Sequence, residues 1–110
     1  MATLVEIELL SKYCVGTGVN VGCGYTNIGN SINLDIVPHG EGVIVADARL
    51  LPFYDNSLDY IVASHSLEHI DLSPVTVLKR WLQCVKIGGI IAVIVPDSNH
   101  NPQTAMGQRN

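Results

Sequence analysis

The chain is short of charge, and of positive charge above all. Of its 110 residues 15% are charged, and six Lys and Arg face ten Asp and Glu, for a net charge of -4. A phosphate backbone needs a basic surface, so nucleic acid is not expected as a partner. Lys79, Arg80 and Lys86 lie near one another, but three cations on a helix read as a solvated face. Cysteine is scarce too: Cys14, Cys23 and Cys84 are an odd number with no CxxC pair. That excludes a disulfide framework or zinc knuckle and suits a reducing, cytoplasmic setting. No apolar run approaches the roughly 20 residues of a membrane span, and none is expected. The N-terminal stretch MATLVEIELLSKY has no basic start and carries Glu6 and Glu8, so it is not expected to be a signal peptide. Internal repeats and low-complexity tracts are absent as well. The composition that remains, 47% hydrophobic, suits one globular domain with one core.

Local patterns place the elements. Leu4, Ile7 and either Leu10 or Ser11 fall at helical spacing, predicting a short amphipathic helix over 3–13. Residues 19–21, 32–37, 43–46 and 58–63 read as strands, the second alternating apolar and polar residues until Pro38 stops it. Leu51-Pro52-Phe53-Tyr54-Asp55-Asn56-Ser57 is turn chemistry around an aromatic plug. Ser73-Pro74 supplies an N-cap and a first-position proline. Val75, Leu78, Leu82 and Val85 then share one helical face beside Trp81, and Gly88-Gly89 is expected to stop the helix. Residues 90–95 are apolar without alternation, as in a strand covered on both faces. The alternation of strands and helices predicts an α/β fold, a three-layer sandwich around a mostly parallel five-stranded sheet. Residues 1–96 form that domain; 97–110 read as a polar, flexible tail.

In such sheets ligands bind at the carboxyl ends of the strands, and the polar residues gather there. Gly22-Cys23-Gly24 ends the first strand, where glycine permits a tight turn and close approach of a ligand. Asp35 ends the second, placed to accept hydrogen bonds from a ribose diol. Asp47-Ala48 ends the third, placed to meet an adenine edge. A dinucleotide-binding turn expects a third glycine where Asn27 stands, and an acid further on than Asp35. Cys23 reads as a small space-filling residue, His39 as a surface turn residue and Trp81 as core.

Taken in order, VNVGCG, INLDIVP, VADARLLPFYDNSLDYIVASHSLEHI and LKRWLQCVKIGGIIAVIVPD resemble a class I S-adenosylmethionine-dependent methyltransferase over roughly residues 17–97. The resemblance implies a Rossmann-like sheet of order 3-2-1-4-5, truncated relative to the family's seven strands. It implies S-adenosyl-L-methionine as cofactor. Gly22, Cys23 and Gly24 would line its methionine part; Asp35, with Ile36 beside it, would hold the ribose; Asp47 and Ala48 would recognise adenine. Leu51-Pro52-Phe53 would close over the ring, and Ser64-His65 would face the methyl group. His65 is the first candidate for a catalytic base, with His69 and His100 behind it.

The chain also departs from the family. Only about seven residues separate Gly24 from the second strand, too few for a crossover helix. Some methyltransferases hold a metal through E-x-x-E-H, and His65 stands at the first position of that pattern. A site of His65, Glu68, His69 and His100 is the metal alternative, against a bland reading in which Glu68-His69 braces the segment. The fifth strand would expose a long apolar edge. Two chains pairing there, the tail folding back, or a longer enzyme would each resolve it, and self-association is the expectation. The methyl acceptor is not legible. A module that binds S-adenosylmethionine or S-adenosylhomocysteine without turnover, or a fragment of a longer methyltransferase, is the alternative function.

Overall fold

The computed structural model describes residues 3–96 and 102–108. Its centre is a six-stranded sheet: β1 (Gly18–Val21), β2 (Ile32–Asp35), β3 (Val43–Val45), β4 (Leu58–Ser64), β5 (Val85–Pro96) and β6 (Pro102–Gln108). The spatial order is β3-β2-β1-β4-β5-β6. β1 to β5 run parallel in the expected order 3-2-1-4-5. α1 (Leu4–Ser11) and α2 (Pro74–Cys84) flank the sheet.

Alternation along the central strands sorts the core into two layers. Ile61 and Ala63 of β4, with Ile91 and Val93 of β5, face α2 through Val77, Trp81 and Cys84. Tyr60 and Val62, with Ala92 and Ile94, face the opposite way toward Leu10 and Ile28. Residues 60–63 and 90–94 are apolar without a break because both faces of the sheet are covered there. Ile28, 1% exposed, sits in the loop between β1 and β2. That loop, as expected, does the work of a crossover helix. It is held by the buried Asn20, whose Nδ2 donates to Thr26 O at 2.9 Å and to Asn33 Oδ1 at 3.3 Å.

α1 begins with a capping box: Thr3 Oγ1 accepts from Glu6 N, and Glu6 Oε1 accepts from Thr3 N. It buries Glu6 and Leu10, while Leu4 is exposed. α2 starts as its sequence predicts, with Ser73 Oγ accepting from Thr76 N. Its buried residues are Val77, Trp81 and Cys84, with Leu78 and Leu82 partly covered; Val75, expected in that face, is exposed. The helix also ends earlier than expected. Val85 already pairs with Leu58, and the ladder resumes only at Tyr60 and Ile90. Gly88, at φ 88°, and Gly89 serve the bulge between those pairs. A Cβ on Gly89 would stand 2.7 Å from Asp59 O. The glycines are therefore a strand irregularity, not a helix stop. Lys86 lies in β5, not on the helix, and reaches Asp59 at 3.4 Å.

The C-terminal segment differs most from expectation. Residues 102–108, expected to be loose, form β6 and pair antiparallel with β5 from Ile90–Gln108 to Pro96–Pro102. Backbone groups make that ladder whatever the side chains are, so polar composition did not forbid it. β6 covers the edge on which pairing between two chains was expected, and self-association loses its basis. A chain ending at residue 96 is expected to expose the β5 edge. Light scattering should then show concentration-dependent oligomers that grow beyond those of the full chain.

The β2–β3 side is thinner. The connections on either side of β3 are loops, and Ile36, Ile44 and Val45 are exposed at 65%, 39% and 57%. No helix among the described residues is long and apolar enough to cross a membrane.

Candidate functional site

At its carboxyl end β1 hands the chain to a turn that only glycine makes cheaply. Gly22 has φ 70° and Gly24 φ 55°. Gly22 N and Cys23 N both donate to Leu34 O, at 2.8 and 3.1 Å, which folds the turn toward β2. A Cβ on Gly22 would lie 2.5 Å from Ser66 Cβ, and Ser66 Oγ is itself tied to Val21 O at 3.1 Å. The backbone is thus bare on the side facing the segment after β4. Asp35 closes the turn from the neighbouring strand: its Oδ2 accepts from Gly24 N at 2.8 Å and its Oδ1 from Val37 N at 3.1 Å.

Two adjoining cavities open around this turn. One, about 410 Å³, is walled by Gly22, Asp35, Ile36, Asp47, Ala48 and His65 among others. The second, about 170 Å³, is walled by Gly22, Cys23, Gly24, Asp35, Ser64 and His65 among others. Gly22, Asp35 and His65 line both. Of the residues that the sequence singled out for a cofactor, Gly22, Cys23, Gly24, Asp35, Ile36, Asp47, Ala48, Ser64 and His65 each border one or both of these cavities. Leu51 and Phe53 do not: they pack against the core.

The electrostatics were only partly foreseen. Asp47 is clamped by Arg49, with Nη2 to Oδ2 at 2.6 Å, Nε to both oxygens, and the Arg49 backbone N to Oδ1 at 2.9 Å. The guanidinium holds the Asp47 carboxyl down to about 2. Trp81 Nε1 donates to Ala48 O at 2.8 Å, fixing the next residue from the core. His39 is no plain surface residue. Its Nε2 lies 3.3 Å from Asp35 Oδ2, and its ring meets Tyr25 edge-on. Burial, with the Asp35 carboxylate nearby, pushes the Cys23 thiol up, away from the thiolate a nucleophile needs.

His65 leaves β4 with φ 54°, an uncommon conformation for a residue with a side chain. Its Nε2 lies 2.5 Å from Glu6 Oε2, and its Nδ1 lies 3.8 Å from Glu68 Oε2. Glu6 is the residue that sequence reasoning missed: the stretch carries two glutamates, Glu6 and Glu8, and only the fold shows that Glu6 is the buried one. That burial alone would raise its pKa. The Thr3 backbone N–H, His65 and the Thr3 hydroxyl together pull it below the usual 4.5. Leu67–His69 form a single 3₁₀ turn, so His65 does not share a helix face with Glu68 and His69. No group of three His, Cys, Asp or Glu among the described residues is placed to hold a metal ion, and His100 lies outside them. Two carboxylates flank His65, but at opposite ring nitrogens.

The sequence from 16 to 93 matches the family model described as a methyltransferase domain. This chain belongs to that family. No curated protein matches the chain. Solved structures share the methyltransferase fold. A SAM-dependent methyltransferase from Archaeoglobus fulgidus superposes with a TM-score of 0.64 at 23% identity, over 84% of this chain and 54% of its own. One from Aquifex aeolicus gives 0.63 at 16%, over 82% and 63%. A chain of the Haloferax volcanii complex between the Trm112 methyltransferase activator and a methyltransferase gives 0.65 at 23%, over 80% and 50%. The methyltransferase domain described here thus spans between 50% and 63% of the length of these structures.

Proposed function

We propose that the cleft binds S-adenosyl-L-methionine and that the domain transfers its methyl group to an acceptor. The observation that carries this reading is the hydrogen bond from Gly24 N to Asp35 Oδ2, which joins the glycine turn and the strand-end acid at the meeting of the two cavities. The residues fit an adenosyl sulfonium. The larger cavity lies within the roughly 300–1,000 Å³ usual for small-molecule sites. A side chain on Gly22 would fill the floor, and Ser64 Oγ, at the edge of the smaller cavity, is buried with no partner among the described residues.

In this reading Asp35 and Ile36 take the ribose, Gly22, Cys23, Gly24 and Ser64 the methionine half, and Asp47 with Ala48 the adenine. Arg49 already occupies the Asp47 carboxylate, so adenine meets the backbone at Ala48 unless Arg49 lets go. When bound, the cofactor supplies an electrophilic methyl group. The chain's part is to hold an acceptor atom in line with it and to take a proton if the acceptor carries one. His65, which lines both cavities, would take that proton in this reading.

Calorimetry with S-adenosylhomocysteine tests the binding step. Asp35→Ala removes at least one charge-assisted hydrogen bond to the ligand, worth about 1.5–3 kcal/mol, so affinity should fall at least roughly 10- to 100-fold. Unchanged affinity would reject the reading. Label passing from the cofactor's methyl group into a cell extract would establish an enzyme; tight binding with no transfer would identify a binding module.

A further inference from the structure

We propose that Glu6 is the positioning residue for His65, which makes α1 part of the working cleft and not only a cover for one face of the sheet. The inference rests on the reading above, in which His65 stands where methyl transfer occurs. Glu6 is 6% exposed, and a buried carboxylate is costly unless its oxygens are bonded. Those oxygens divide their work. Oε1 accepts from Thr3 N at 2.8 Å and completes the cap of α1. A capping box needs nothing more. Oε2 leaves the helix and meets His65 Nε2 at 2.5 Å, across 59 positions of sequence. That second bond is no part of the cap: it satisfies the buried oxygen and, at its other end, holds the histidine ring.

His65 has a reason to need it. A left-handed backbone at a residue with a side chain costs on the order of 1–3 kcal/mol and persists only where the surroundings hold it. Two ties do so: His65 N donates to Ile94 O at 2.8 Å, and the ring reaches Glu6. The first fixes the backbone against β5; the second fixes the ring. With Glu6 on Nε2, the proton of that nitrogen is committed, and Nδ1 is the nitrogen left for chemistry. Glu68 Oε2, at 3.8 Å, is too far from Nδ1 for a direct hydrogen bond. The base would therefore act through Nδ1, at the ring edge turned from α1. The bond from the Thr3 backbone N–H to Oε1 in turn holds the carboxylate still.

Proton NMR of the ¹⁵N-histidine-labelled full chain reads the contact directly. The expected result is a downfield, hydrogen-bonded Nε2–H resonance of His65 that disappears in Glu6→Ala and in Glu6→Asp, whose side chain is one methylene short. Thr3→Ala is the control. It removes the capping hydroxyl, costing about 1 kcal/mol of helix stability, and should leave the resonance in place. Absence of the resonance in the unsubstituted chain, or its persistence in a folded Glu6→Ala, overturns the proposal. Should Glu6→Ala fail to fold, the isosteric Glu6→Gln is read instead: an unchanged His65 signal there overturns it, and a displaced or broadened one supports it. Failure of the cofactor reading shows separately, as absent S-adenosylhomocysteine binding by the unsubstituted chain.

Discussion

Gly22→Val should weaken S-adenosylhomocysteine binding about 100-fold and weaken the fold as well. Two costs combine. The backbone at φ 70° disfavours any L side chain by about 1–2 kcal/mol, and a β-branched one by more. The new Cβ would also stand 2.5 Å from Ser66 Cβ, and Ser66 cannot simply retreat, because its hydroxyl is bonded to Val21 O. The turn must shift, and with it the N–H groups of Gly22 and Cys23 that reach Leu34 O. Overpacking of this kind adds roughly 1–3 kcal/mol. A total near 3 kcal/mol is about a 100-fold loss of affinity if it falls on the bound state. Gly24→Ala is the informative companion. Its φ is also positive, but a Cβ there meets nothing within 4 Å, so only the backbone term applies. Calorimetry and urea unfolding of both variants give the comparison. Native affinity in Gly22→Val would mean that the turn is not the floor of the site.

Trp81→Ala should cost about 3–5 kcal/mol of stability, the usual range for deleting a large buried aromatic. Trp81 is fully buried between α2 and the sheet. A single domain has only about 5–15 kcal/mol in total, so this substitution alone brings the chain near unfolding. Trp81→Phe separates packing from polarity. It keeps most of the ring but leaves Ala48 O without the donor it has at 2.8 Å. That loss, about 1–3 kcal/mol, is local to the third-strand end of the cleft. Urea midpoints should rank native above Phe above Ala. In the Phe variant, S-adenosylhomocysteine affinity should fall several-fold even where the chain is fully folded.

The strands were legible because β4 and β5 carry apolar runs and because glycines and acids fall at strand ends; their order came with the family resemblance and not from any local pattern. The start of α2 was legible for a local reason too: Ser73-Pro74 acts on its own neighbours. What escaped depends on residues far apart. Gly88-Gly89 reads as a helix stop until Val85 is seen pairing with Leu58. Which face of α2 is buried depends on the sheet beneath it, and Val77 displaced Val75. β6 has no apolar signature; its cause is an unsatisfied neighbour. Within the site, the cleft-lining residues were readable by position, but their partners were not. Arg49 folds back on Asp47 two residues away, and Glu6 arrives from the first helix. Neither the His39 contact with Asp35 nor the left-handed backbone of His65 leaves a mark in the sequence.

The uncovered β2–β3 side gives the molecule a firm half and a soft half. β4 and β5 are sealed on both faces, whereas β3 is short, its residues half-buried to exposed, and bounded by loops. Local opening costs least where few apolar contacts hold an element down. The wall of the larger cavity formed by Ile36 and Asp47 belongs to that softer half, while His65 springs from the firm one. A nucleoside lodged between them would tie the two together, so part of its binding energy would go into stiffening its own pocket.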